Sequence, residues 1–125
     1  MTLEQQRAAL AFKHVQSVGK DHQDTYGSMA QKLPALIRSA GLCQALHFVK
    51  SRKKPALDTL LSHLAEQLRR TDQGITSGDS LCKTAREAEL SKYLWLTREA
   101  LATVGWYSRL SRAEWGVLTD NKEMS

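Results

Sequence analysis

Cys43 and His47 stand four residues apart. On a helix they would share one face and could offer a thiolate and an imidazole to one metal ion. His63 and Cys82 would have to complete a tetrahedral set. Cys43, however, sits among Leu42, Ala45 and Leu46, where a free cysteine behaves as a small apolar side chain. We therefore assign no metal site. His14 and His22 have no carboxylate spaced for general-base work, so surface or half-buried roles are expected of them. Glu87, Glu89 and Glu99 lie among Lys and Arg residues that make solvated ion pairs sufficient to explain them. The chain has no GxxxxGK loop, no HExxH pair and no glycine-rich dinucleotide turn. It reads as a protein with no catalytic residue, no cofactor and no small-molecule substrate, which is to say not an enzyme.

Positive charge is the richer signal. Eighteen Lys and Arg against thirteen Asp and Glu leave a net charge of +5 and a pI near 9.4, which favours an anionic partner, nucleic acid above all. The excess lies in residues 41–70, chiefly in the KSRKK segment of Lys50, Arg52, Lys53 and Lys54, with Arg69 and Arg70. The alternative for that segment is a solvated helix end whose cations complement the helix dipole. A second set, Arg98, Arg109 and Arg112, forms a narrow polar strip on the otherwise apolar segment from Tyr93 to Leu110. Arg38 is a further candidate for phosphate contact. Tyr93, Trp95, Trp106, Tyr107 and Trp115 crowd the same third of the chain. Aromatics beside arginines can stack bases, but at helical spacing they more often serve a core or an interface. Trp95 and Trp106, eleven residues apart on one face, are assigned to a partner contact.

These residues are positioned by helices almost throughout. Thr2 is an N-cap with Gln5 three residues on as its capping-box partner, and the stripe from Leu3 to Val18 ends at Gly19. Residues 19–28, GKDHQDTYGS, read as a loop or broken turn. The next helix should surround Met29 to Ser39, kinked or restarted at Pro34, with Leu33, Leu36, Ile37 and Ala40 inward. Gly41 breaks it, and Leu42, Ala45, Leu46 and Val49 mark a third helix. Pro55 opens a fourth, with Leu57, Leu60, Leu61, Leu64 and Leu68 in the cleanest amphipathic register. Residues 71–80, TDQGITSGDS, read as a flexible linker. A short helix from Leu81 to Glu89 leads into the last one. On that helix Leu90, Tyr93, Leu94, Thr97, Ala100, Leu101 and Val104 share the face expected to be core, with Trp95, Ala102 and Trp106 opposite.

No alternating strand pattern occurs. The fold expected is all-α, a compact bundle of about five to six helices with a long C-terminal helix, and residues 1–125 form a single helical domain. No run reaches the apolar length of a membrane span, and Met1 leads into a polar helix rather than a signal peptide. With two widely separated cysteines, a cytoplasmic protein with reduced thiols is expected.

Two blocks carry a family resemblance. In residues 26–52 the pattern comprises Tyr26, Gly27, Lys32, Leu33, Pro34, Ile37, Gly41, Leu42, Gln44, Ala45, Leu46 and Phe48; in residues 93–110 it comprises Tyr93, Leu96, Thr97, Glu99, Ala100, Leu101, Trp106 and Arg109. The chain resembles the small helical subunit of type III-B CRISPR–Cas effectors, the Cmr or RAMP-module complex. It departs after Trp106, where Tyr107, Ser108, Arg109 and Leu110 replace a Trp–Leu–Lys–Arg–Phe-like run. The resemblance implies a non-catalytic subunit of an RNA-guided antiviral complex. Such a subunit stacks with copies of itself beside the backbone subunits and lines the groove where target RNA pairs with CRISPR RNA. Arg38, Lys50, Arg52, Lys53, Lys54, Arg98, Arg109 and Arg112 would then bind RNA. Two other readings stand beside it. One is a helical protein–protein adaptor without nucleic-acid contact, distinguished by whether the arginine strip and KSRKK share one continuous face. The other is a small DNA-binding regulator using the turn at Gly41, although the helix after it offers only Gln44 and Lys50 to base edges.

Overall fold

The computed structural model describes residues 1–117; residues 118–125 of the expected domain lie outside the described residues. Its helices are α1 (Leu3–Gln16), α2 (Gln23–Ala40), α3 (Leu42–Ser51), α4 (Pro55–Leu68), α5 (Gly78–Glu87) and α6 (Leu90–Trp115), with a 3-10 turn at Lys20–His22. The described residues hold these six α-helices and no strand. One apolar core takes side chains from every helix.

Local signals start most helices where the residues demand. The Thr2 hydroxyl accepts from the Gln5 amide at 3.1 Å while the Gln5 side chain accepts from the Thr2 amide at 2.8 Å, closing a capping box that satisfies two otherwise unpaired donors. Pro55 occupies the first turn of α4, where its missing N–H costs nothing. The five leucines of α4 are all buried. Gly41 has φ +92° and ψ 157°, a conformation open only to glycine, and this separates α2 from α3 by a single residue.

Three expectations are corrected. α2 begins at Gln23, six residues before Met29, and runs through Pro34 as one helix. The polar stretch is helical because its Tyr26 and Gly27 are buried: a Cβ on Gly27 would stand 3.2 Å from Val117 and 3.3 Å from Ser111. Tertiary contact outweighs weak helix propensity there. Residues 71–80 are tied down at several points. Ile75 is fully buried, Asp72 pairs with Lys92 and accepts from the Gly74 amide, and Ser77 and Ser80 form a reciprocal cap that starts α5 at Gly78 rather than Leu81.

The third correction concerns α6. Its buried stripe is Leu96, Ala100, Thr103, Val104, Tyr107 and Ser111, about 70° around the helix from the face expected. Leu90 and Leu94 are 71% and 58% exposed. α2 lies antiparallel to α6, with Gly27 beside Ser111 and Gly41 beside Tyr93. α2 therefore ends opposite Tyr93, and the first turn of α6 projects past its cover. The arginine strip is left diametrically outward.

Candidate nucleic-acid interface

The KSRKK segment forms the turn from α3 to α4, and the turn sends its cations two ways. Arg52 caps α3, Lys53 adopts a left-handed φ of 53°, and extended Lys54 precedes α4. Lys50 ion-pairs with Asp79 of α5, and that carboxylate raises its pKa above the usual lysine value. Lys53 borders the same cleft between α3, α4 and α5, together with Asp58, Ser62, Ser77 and Asp79. Arg52 and Lys54 face a different cleft, lined from α2 by Asp24, Thr25, Ser28, Met29 and Lys32, and closed by Leu57, Gly116 and Val117. The Arg52 guanidinium also lies over the Phe48 ring, 5.8 Å from its centroid.

On α6, Arg98, Arg109 and Arg112 are exposed. Arg109 stacks on Trp106 at 4.6 Å and shares a shallow concavity with Arg38 of α2, bordered by Pro34, Gly105, Ser108 and the acidic Glu4. Arg112 donates to the Gln31 side-chain oxygen at 3.1 Å, and Gln31 Nε2 donates to the Val117 carbonyl. Since Val117 lines the cleft of Arg52 and Lys54, five of the cations singled out in the sequence follow one contiguous stretch: Arg38, Arg109, Arg112, Arg52 and Lys54. Arg98 lies about 16 Å along the helix axis from Arg109. Lys32, Thr25 and Ser28 on that stretch were not among the residues expected to bind RNA. Their spacing of three, four and seven residues on one helix face was the signal available, hidden because residues 19–28 read as loop.

Trp95 and Trp106 have different fates. Trp95 is 46% exposed beside Leu94. Trp106 is half-buried, its indole N–H donating to Glu4 Oε1 at 2.6 Å. Glu4 also accepts from Arg7 at 3.3 Å, and Arg7 reaches Glu99 at 2.8 Å. Trp106 thus joins a polar chain that fastens α1 to α6, while Trp95 stays open to contact.

The cysteines and histidines scatter. The Cys43 amide donates to the Tyr93 hydroxyl at 3.0 Å, and His47 Nε2 lies 3.3 Å from Arg86. Cys82 is buried, which pushes its thiol pKa up. His63, half-buried, instead faces His14, and the Tyr26 hydroxyl sits 2.7 Å from its Nδ1. His14 is likewise buried, against the surface or half-buried role expected of it, and its Nδ1 is 2.7 Å from the Tyr107 hydroxyl. Among the described residues no group of three or more His, Cys, Asp or Glu side chains could hold a metal ion. None of the described helices is long and apolar enough to cross a membrane.

Residues 3–114 match the family described as CRISPR-associated protein (Cas_Cmr5). The chain is similar to the CRISPR system Cmr subunit Cmr5 of Thermus thermophilus, with 44% identity over 107 residues, covering 85% of this chain and 90% of the relative. It also resembles the crystal structure of a CRISPR-associated Cmr5 family protein from Thermus thermophilus. That likeness has a TM-score of 0.79 and 41% identity, covering 90% of this chain and 97% of the other.

Proposed function

The chain belongs to the Cas_Cmr5 family of CRISPR-associated proteins, and on that premise we propose that it is the small, non-catalytic subunit of a cytoplasmic type III-B effector complex. Copies of it stack beside the backbone subunits and line the groove in which target RNA pairs with CRISPR RNA. Base pairing supplies sequence specificity, and this subunit supplies phosphate contact and shape.

The observation that carries the reading is the contiguous stretch of Arg38, Arg109, Arg112, Arg52 and Lys54. A strand laid along α6 would meet cations from α2, α6 and the α3–α4 turn. In this reading those five residues hold RNA, with Arg98 extending the track toward the start of α6. Lys50 ties α3 to α5 through Asp79, and Lys53 borders the same cleft beside Asp58. Contact by one copy is weak, and aligned copies add their contacts through effective concentration.

The exposed Leu90, Leu94 and Trp95 favour a protein contact as well, which suits either a stacked subunit or a pure adaptor. The regulator reading loses support because Leu42, Ala45, Leu46 and Val49 of α3 are buried, leaving that helix little face for a DNA groove. Purification from the native host tests the proposal. Recovery with RAMP-type backbone subunits and a small guide RNA supports it; recovery with protein partners and no RNA favours the adaptor.

A further inference from the structure

We propose that the cleft between the first half of α2, the Arg52–Leu57 turn and Gly116–Val117 seats one phosphodiester of single-stranded RNA, held by Arg52, Lys54 and Lys32 with the hydroxyls of Thr25 and Ser28. The inference rests on the RNA-lining function and specifies where on the subunit the strand is gripped.

Three cations from two parts of the chain, Lys32 on α2 and Arg52 and Lys54 in the α3–α4 turn, line this one concavity. Thr25, Ser28 and Lys32 fall on one face of α2, so two hydroxyl donors stand beside an ammonium. Met29 and Leu57, both buried, form an apolar floor, and low polarity behind a charge pair strengthens its attraction. Arg52 is braced by Phe48, which reduces the freedom its planar fork loses on gripping two phosphate oxygens. Among the described residues Asp24 is the one acid on the lining, and it opposes an anion. The same five-residue turn therefore has a gripping half, Arg52 and Lys54, and a structural half, Lys50 and Lys53, whose cleft is balanced by Asp58 and Asp79.

The test compares three variants in the assembled complex, each checked for folding by circular dichroism: Arg52→Gln with Lys54→Gln, Lys50→Gln with Lys53→Gln, and Asp24→Asn. Binding of a fluorescein-labelled oligouridine is titrated across salt concentrations. The Arg52/Lys54 pair should weaken binding about ten-fold and flatten the log–log salt slope by about 0.7, the amount that one lost phosphate contact removes. The Lys50/Lys53 pair carries the same charge change and should move binding less than about two-fold. Asp24→Asn should tighten it by about two-fold. Equal losses from the two double variants, or no gain from Asp24→Asn, would overturn the cleft and leave the wider function standing. A wild-type complex that retains no oligouridine at any salt would overturn both.

Discussion

The imidazoles of buried His14 and half-buried His63 lie face to face, ring centroids 4.0 Å apart and planes 4° from parallel. Gln67 Nε2 donates to the Tyr107 hydroxyl at 3.2 Å, so that hydroxyl is free to donate to His14 Nδ1, and His14 Nε2–H then points to Glu66 at 3.2 Å. This assigns a neutral tautomer to His14. The Tyr26 hydroxyl makes the corresponding contact to His63 Nδ1 at 2.7 Å. One layer of side chains thus joins α1, α2, α4 and α6 through two rings that cannot both be charged.

Burial first, then the neighbouring His14, lowers the His63 pKa to about 4, with Glu66 opposing; burial lowers that of His14 too, against the pull of Glu66. An unfolded histidine titrates near 6.5, so between pH 6.5 and 4 the unfolded chain binds more protons than the folded one. The stabilisation is complete above about pH 6.5 and is lost as pH falls through that window, by about 3 kcal/mol for His63 alone. Urea midpoints measured at pH 7 and pH 4.5 should differ accordingly, and His63→Gln should remove most of the difference. A midpoint independent of pH would refute the neutral pair.

Trp106→Ala and Trp95→Ala should separate stability from assembly. The first deletes the indole that bonds Glu4 and supports Arg109, and should cost about 2–3 kcal/mol in urea unfolding, somewhat below a fully buried tryptophan. The second removes an exposed ring and should change stability by less than about 0.5 kcal/mol while reducing co-purification with neighbouring subunits. The reverse pattern would exchange their roles.

Gly41→Ala should destabilise the fold by about 1–3 kcal/mol. Its φ of +92° strains any side chain, and the new Cβ would sit 3.3 Å from the Tyr93 hydroxyl. Gly116→Ala, at φ +68° with open space around its Cβ position, should cost only about 1 kcal/mol. Thermal denaturation of the two variants side by side checks the ranking.

Replacing Arg38, Arg109 and Arg112 together with Gln should weaken target-RNA retention by the complex equally for unrelated guide–target pairs. The salt slope should flatten by about 2. Loss confined to one target sequence would place these arginines at base edges instead.

Labelled RNA incubated with the purified protein and divalent metals should stay intact, because the ligand-type side chains of the described residues do not assemble. Cleavage that tracks the protein and is abolished by replacing a named histidine or carboxylate would require a catalytic reading.

Much of this molecule is written locally. The Thr2–Gln5 box, Gly41, Pro55 and the leucine register of α4 each act within a turn or two of chain, and they determine an all-α bundle without reference to distant residues. The two blocks at 26–52 and 93–110 likewise carry their family resemblance as linear strings. What depended on neighbours far along the chain was decided only by tertiary structure. α2 extends back to Gln23 because α6 needs Gly27 and Tyr26 against it. The buried face of α6 turned from Leu90 and Leu94 toward Tyr107 because α2 stops opposite Tyr93 while α1 claims the adjoining side. The KSRKK segment, uniform as a string, divides at a left-handed Lys53 into cations that meet Asp79 and cations that meet the α2 cleft. Periodicity reports which residues share a face. Only the placement of the other helices decides what that face meets.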